Sequence, residues 1–163
     1  MKTIRNASSR ALGGLLLVAG MAVSVGAMAG ECPADKVGSN PLMNAPTMPV
    51  GVVDTELASV DLAKENVMLE SRRLRLRHMT IAPGGIVPLH SHGDRPALIM
   101  VNAGMIYENS SKCMVPILHK AGEVSREFLG TQHWWKNEGS IPVDLTIGDI
   151  VHDSMPMTMQ PMM

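Results

Sequence analysis

Two histidines one residue apart, His90 and His92, lie in the stretch VPLHSHGDRPA (87–97), directly after Pro83-Gly84-Gly85. Imidazole is the commonest protein ligand for transition metals, and two rings can share an ion only if both leave the backbone on one side. On a β-strand residues i and i+2 project from the same face, so His-x-His is a ready bidentate pair. The same spacing also suits two polar residues on an exposed strand, and the motif alone leaves both readings open.

Strands to carry such a pair can be read around it. In RRLRLRHMTIAPGG, Leu74, Leu76, His78 and Thr80 alternate with Arg73, Arg75, Arg77, Met79 and Ile81, a period of two with one charged face that a Pro-Gly-Gly turn closes. IVPLHSH, ALIMVNAG and MIYEN follow as further strands, then CMVPILHKAGE, SREFLGTQHWWKN with a Gly turn at Gly130, and a last strand in IPVDLTIGDIVHD. Short strands punctuated by Gly and Pro every 8 to 12 residues or so predict an all-β antiparallel sandwich or small barrel. The segment 53–67 fits either a short helix or a strand with a turn. One Phe, one Tyr and two Trp among 163 residues leave the core to Val, Ile, Leu and Met.

The ends differ from this body. Lys2, Arg5 and Arg10 precede an apolar run over 11–27 and an A-x-A site, Ala27-Met28-Ala29, which reads as a secretory signal peptide over 1–29 cleaved before Gly30. The protein is therefore expected to be periplasmic or secreted, with no membrane anchor after cleavage. Without the three basic residues of this leader the chain keeps 11 Lys and Arg against 15 Asp and Glu, a net charge of −4. That balance, with no clustered basic stripe, argues against nucleic acid as a partner. Residues 30–52, rich in Pro, Gly and Asn, read as an extended arm; the barrel is expected over 53–153 and a methionine-rich flexible tail over 154–163. Cys32 and Cys113 in an oxidising compartment read first as a disulfide tying the arm to the body, with two free thiols or a thiolate ligand as the other possibilities.

A second constellation extends the first. Gly84, five residues, His90-x-His92 and Gly104 are followed by Gly122, five residues, Phe128-x-Gly130-x-x-His133 and Asn137, with 17 residues between the two blocks. This pattern, over roughly 74–153, resembles the two motifs of the cupin superfamily, whose fold is an antiparallel β-barrel of jelly-roll (double-stranded β-helix) type. The resemblance implies that His90, His92 and His133 hold a divalent transition metal. Iron, copper, zinc, manganese and nickel all remain open, because residue type does not choose among them. The family's fourth ligand, a glutamate, would fall at Ala97, so the carboxylate is missing; Phe128 stands where the family usually has proline. Three neutral imidazoles leave an ion its full charge and open positions. Three-histidine cupins include thiol and diketone-cleaving dioxygenases, so a dioxygenase-like oxidoreductase acting on a small organic molecule is one expectation.

Neighbouring residues carry paired readings. Arg95 could bind an anionic substrate or pair with Asp94 and face water. Glu108 and Glu123 are candidate replacement carboxylates or solvated surface groups. His78, His119 and His152 read as satisfied or exposed histidines. Trp134 and Trp135 alternate, so one ring faces the metal side and could wall a pocket, or both fill the core. Asn137 is expected to satisfy backbone groups. In the tail, the spacing Met155-x-Met157-x-Met159 offers soft thioethers that favour Cu(I), or else a plain appendage. The alternative to an enzyme is thus a non-catalytic module binding metal or a small ligand, serving copper handling through its tail. A sugar-phosphate isomerase or epimerase fits less well, since Tyr107 is the only tyrosine. A homodimer is compatible with either reading.

Overall fold

The computed structural model describes residues 30–152; the expected leader and the tail methionines Met155, Met157 and Met159 lie outside the described residues. Eight strands account for the body: β1 Val50–Asp61, β2 Arg72–Ser91, β3 Ala97–Ala103, β4 Met105–Ser110, β5 Ile117–Lys120, β6 Val124–Glu127, β7 Gln132–Lys136 and β8 Val143–His152. All pairings are antiparallel, in the order β5-β4-β7-β2-β8-β3-β6, with β1 on β2. The segment left open between helix and strand is strand to Asp61 and then a 3-10 turn, Leu62–Lys64, capped by Asp61 Oδ1 accepting from Ala63 N at 3.1 Å. Among the described residues no helix is long and apolar enough to cross a membrane.

The long β2 joins β7 to β8 in one continuous sheet by pairing with each along a different part of its length. Its first half, 72–81, pairs with β8, and its second half, 86–91, pairs with β7. Between them the chain turns a corner at Pro83-Gly84-Gly85. A Cβ on Gly85 would lie 2.7 Å from both the Ala82 carbonyl oxygen and Ile81 Cγ2, so the backbone packs too closely there for a side chain. Asn137 pins the corner: its Nδ2 donates to the carbonyls of Ile81, Ala82 and Ile141 at 2.9–3.1 Å. As expected of it, this side chain satisfies backbone groups.

Strict alternation sorts the interior. β8 alternates buried and half-buried residues over its whole length. Its inward residues Val143, Leu145 and Ile147 meet Met79 and Ile81 of β2, Ile99 and Val101 of β3, Ile106 and Trp135 in one apolar cluster. The same inward row of β2 continues into Arg77 and Arg75, both buried, while Leu74 and Leu76 face out at 46% and 43% exposure. The charged face of this strand therefore turns into the barrel.

Candidate metal centre

The register brings the three histidines together. His90 of β2 is the Cα partner of His133 on β7, and His92 follows where β2 ends. Inward residues of adjacent strands converge on the barrel axis, and all three rings are buried. Their Nε2 atoms form a triangle: 3.1 Å from His90 to His92, 3.0 Å from His92 to His133, and 2.8 Å from His133 to His90. Three nitrogens each about 2.1 Å from a common ion and near right angles to one another stand about 3 Å apart. The triangle matches that facial arrangement.

The outer nitrogens fix the tautomers. A backbone carbonyl only accepts, so His90 Nδ1 carries its proton toward Pro88 O at 2.8 Å, and His92 Nδ1 toward Arg95 O at 2.7 Å. His133 Nδ1 lies 3.0 Å from Glu108 Oε1 and 3.4 Å from Glu127 Oε2. Glu108 is buried, which on its own raises a carboxyl; hydrogen bonds from His119 and His133 outweigh burial and hold it down at about 2, so His133 Nδ1 donates to it. The indole N–H of Trp135 is also aimed at His133 Nδ1, 3.0 Å away, and competes there with the two carboxylates; two acceptors against one donor keep the proton on Nδ1. All three Nε2 lone pairs thus face one another, and a shared cation satisfies them together. Burial, together with the charge of His133, pushes His90 well below its usual value and His92 down to about 4, so both are neutral at pH 7, the form that could hold an ion.

The missing fourth ligand has a structural counterpart. Ala97 is the Cα partner of Asp149 on β8 and of Glu127 on β6, and Asp149 is in turn that of Arg75 on β2. One inward row across the sheet therefore reads Arg75, Asp149, Ala97, Glu127: alanine at the position, carboxylates on both neighbours. Asp149 is engaged by Arg75 at 2.9 and 3.0 Å and by Arg77 at 3.2 Å, and Arg77 also binds Asp54. Glu127 is raised by burial and by the Glu108 charge, against the pull of His133, and accepts from Ser125 Oγ at 2.6 Å. Of the two, only Glu127 reaches His133, and it does so at Nδ1, the nitrogen away from the triangle.

Arg95 does not pair with Asp94, which binds Arg72 at 3.2 Å. It is half-buried, its guanidinium brought down to about 10 by burial against the support of Asp149, with the charges of Arg77 and Arg75 adjoining. Glu108 is no surface group: it sits at 4% exposure, linking His133 to His119. Its place two residues after Ile106 on β4 was the signal, since a period of two turns both inward. Glu127 and Asp149 were not singled out by sequence. Glu123, half-buried, accepts from Lys120 N at 2.8 Å. His119 is fully buried and stacked on Trp135, whose ring centroid is 4.7 Å away. Trp135 is the inward tryptophan and meets His133 edge-on; Trp134 is only half-buried. His78 pairs with Asp144 at 2.6 Å, and His152 ends β8 half-buried. Phe128 is exposed.

Two spaces flank the centre. Beneath the rings lies an apolar cavity of about 10 Å³, walled by Met79, Val87, Ile99, Trp135, Leu145 and Ile147. A pocket of about 280 Å³ opens instead against Glu108 and Glu127, bordered by Ser110, Lys112, Ser125, Thr131 and the arm from Gly30 to Cys32. Cys32 and Cys113 are disulfide-bonded with Cα atoms 5.7 Å apart, which holds that arm on the barrel.

No family model matches the sequence, and no curated protein matches it either. Solved structures do resemble it. KdgF from Halomonas sp. is 12% identical with a TM-score of 0.50, over 65% of this chain and 84% of that one. A predicted oxalate decarboxylase from Thermotoga maritima is 19% identical with a TM-score of 0.49, over 71% and 97%. The cupin domain of an XRE family transcriptional regulator from Enterobacter cloacae is 15% identical with a TM-score of 0.48, over 66% and 99%. The nearly closed antiparallel barrel, with the two histidine motifs meeting inside it, has the jelly-roll fold of the cupins.

Proposed function

We propose that this protein is an exported cupin that binds a divalent transition metal through His90, His92 and His133 and presents it to a small ligand. The observation that carries the reading is the triangle of Nε2 atoms at 2.8–3.1 Å, with each ring's Nδ1 proton committed elsewhere. A divalent ion on three neutral imidazoles supplies Lewis acidity and, if redox-active, electrons to whatever fills its open positions.

The chain's own groups set the terms of that chemistry. Pro88 O and Arg95 O orient two rings, and Glu108 raises the basicity of the third. The apolar floor leaves room for about one water or diatomic molecule, which favours dioxygen-dependent oxidoreductase chemistry over a deeply buried organic substrate. Arg95, whose carbonyl holds the His92 ring, is the cation placed to orient an anionic small molecule, since Arg75 and Arg77 are committed to Asp149 and Asp54. A non-catalytic module, with the Met155, Met157 and Met159 tail handling copper, is the competing function; the small size of the cavity favours it over a large-substrate enzyme.

Elemental analysis of the protein purified from its native compartment tests the reading. One equivalent of iron, copper, zinc, manganese or nickel is expected, and a metal-free barrel that takes up none on reconstitution overturns it.

A further inference from the structure

We propose that the first amine of the processed chain, the α-ammonium of Gly30, is captured by His119 and Glu123 and caps the hydrogen-bonded chain that runs from His133 through Glu108 to His119. The inference rests on the export reading above, in which cleavage follows Ala29.

The chain ends on an unanswered atom. Glu108 Oε1 takes His133 Nδ1 at 3.0 Å and Oε2 takes His119 Nε2 at 2.8 Å. With Nε2–H donating to a carboxylate, His119 Nδ1 is a lone pair that needs a donor. It is fully buried and has no hydrogen-bond partner. Stacking on Trp135, with ring planes 8° apart, holds the imidazole in that orientation.

What faces this nitrogen is Gly30. The ideal Cβ position on its Cα lies 3.0 Å from His119 Nδ1 and 3.2 Å from Glu123 Oε2. While a residue precedes Gly30, only a hydrogen can point there. Once Gly30 is the first residue, its nitrogen is tied to nothing but Cα and turns freely about the Cα–C bond. A step of about 120° carries it into that position, because N–Cα, about 1.46 Å, is nearly as long as a Cα–Cβ bond. The ammonium then donates to the imidazole lone pair and to the carboxylate at ordinary hydrogen-bond distances. Any other first residue would compete for the position with its own side chain.

Little search is needed to bring the amine there. The Cys32–Cys113 bond, the Glu31–Arg126 ion pair, and backbone bonds from Gly38 N to Lys112 O (3.1 Å) and Met114 N to Lys36 O (2.9 Å) hold the arm along the barrel. Processing would thus complete the support of His133 from the outside. His119 keeps its Nε2 proton on Glu108, and Glu108 keeps its other oxygen on the metal ligand.

Two chains released from a removable N-terminal fusion, one starting at Gly30 and one at Ala29, provide the test. The α-amine is acetylated with a small reagent and followed by mass spectrometry, with metal content measured on the same samples. The Gly30 chain is expected to react at least about tenfold more slowly than the Ala29 chain and to melt several degrees higher. Glu123→Gln in the Gly30 chain, a change at a half-buried side chain, should restore rapid acetylation. Equal rates and equal melting in the two chains overturn the capture. Lost protection with metal retained overturns the capture alone, whereas protection without metal overturns only the metal reading. A natural first residue other than Gly30, found by sequencing the exported protein, also overturns it.

Discussion

The chemistry of this protein turns on which nitrogen of each histidine holds its proton. Carbonyl and carboxylate acceptors take all three Nδ1 protons, so the Nε2 lone pairs are left facing one another, where they could hold one ion. Replacing His133 by alanine removes one corner of the triangle, and the variant should lose its stoichiometric metal by elemental analysis; full retention would rule out the three-histidine site. Glu108→Gln keeps the shape but weakens the acceptor on His133 Nδ1. Metal affinity should fall about 10- to 100-fold, the usual scale for such partners, as measured by competition with a chelator. The depressed imidazoles also give the metal-free protein a pH signature. His92 binds its proton at about 4 when folded but near 6.5 when unfolded, so between those values the unfolded chain holds more protons. Stability is therefore complete above about pH 6.5 and declines as pH falls toward 4, by on the order of 3 kcal/mol for this residue. Urea unfolding of chelated protein across that window would show the slope, and a flat profile would mean the ring is not held neutral by burial.

At the scale of the strand, the period of two told more than composition. In β8 and β2 the alternation alone gives the sheet, and the two histidine motifs, through the resemblance they carry, lead to the barrel and to three histidines that could share an ion. Alternation does not say which face is inside, and that is why the charged row of β2 reads correctly as a row but without its direction. Arg75 and Arg77 can point inward only because Asp149 and Asp54 meet them, and those partners lie 74 and 23 residues away. Glu127 escaped notice for the same reason: its importance comes from standing opposite Ala97 across β3 and β6, a register that only the folded sheet defines. The corner of β2 is where the element is most exposed to test. Asn137→Ala leaves the carbonyls of Ile81, Ala82 and Ile141 without this donor, which should cost roughly 2–4 kcal/mol and lower the melting temperature. Metal content in the folded fraction should be unchanged, since Asn137 touches the corner and not the rings. Wild-type stability in the variant would mean that water serves those carbonyls equally well.

For the whole molecule, the bridge ties the N-terminal arm to the barrel. The Cys32–Cys113 bond spans 81 residues, and in the chain-entropy account a loop of that length contributes about 4.5 kcal/mol. Intact mass should show one bridge and no thiol alkylated before reduction, and the Cys32→Ser, Cys113→Ser double variant should melt well below the parent. The tail poses the remaining question, because thioethers at Met155, Met157 and Met159 and imidazoles in the barrel would compete for copper in the same compartment. The two sites can be separated by crossing two changes, His133→Ala and deletion of residues 154–163, and counting metal in each protein. If the barrel is the working centre, metal disappears with His133 and survives loss of the tail. Binding then also stabilises the barrel, by about 4 kcal/mol when free metal is a thousand times its dissociation constant, and tail deletion leaves that gain intact. Copper that survives His133→Ala but leaves with the tail would instead assign metal handling to the methionines, with the barrel as their carrier.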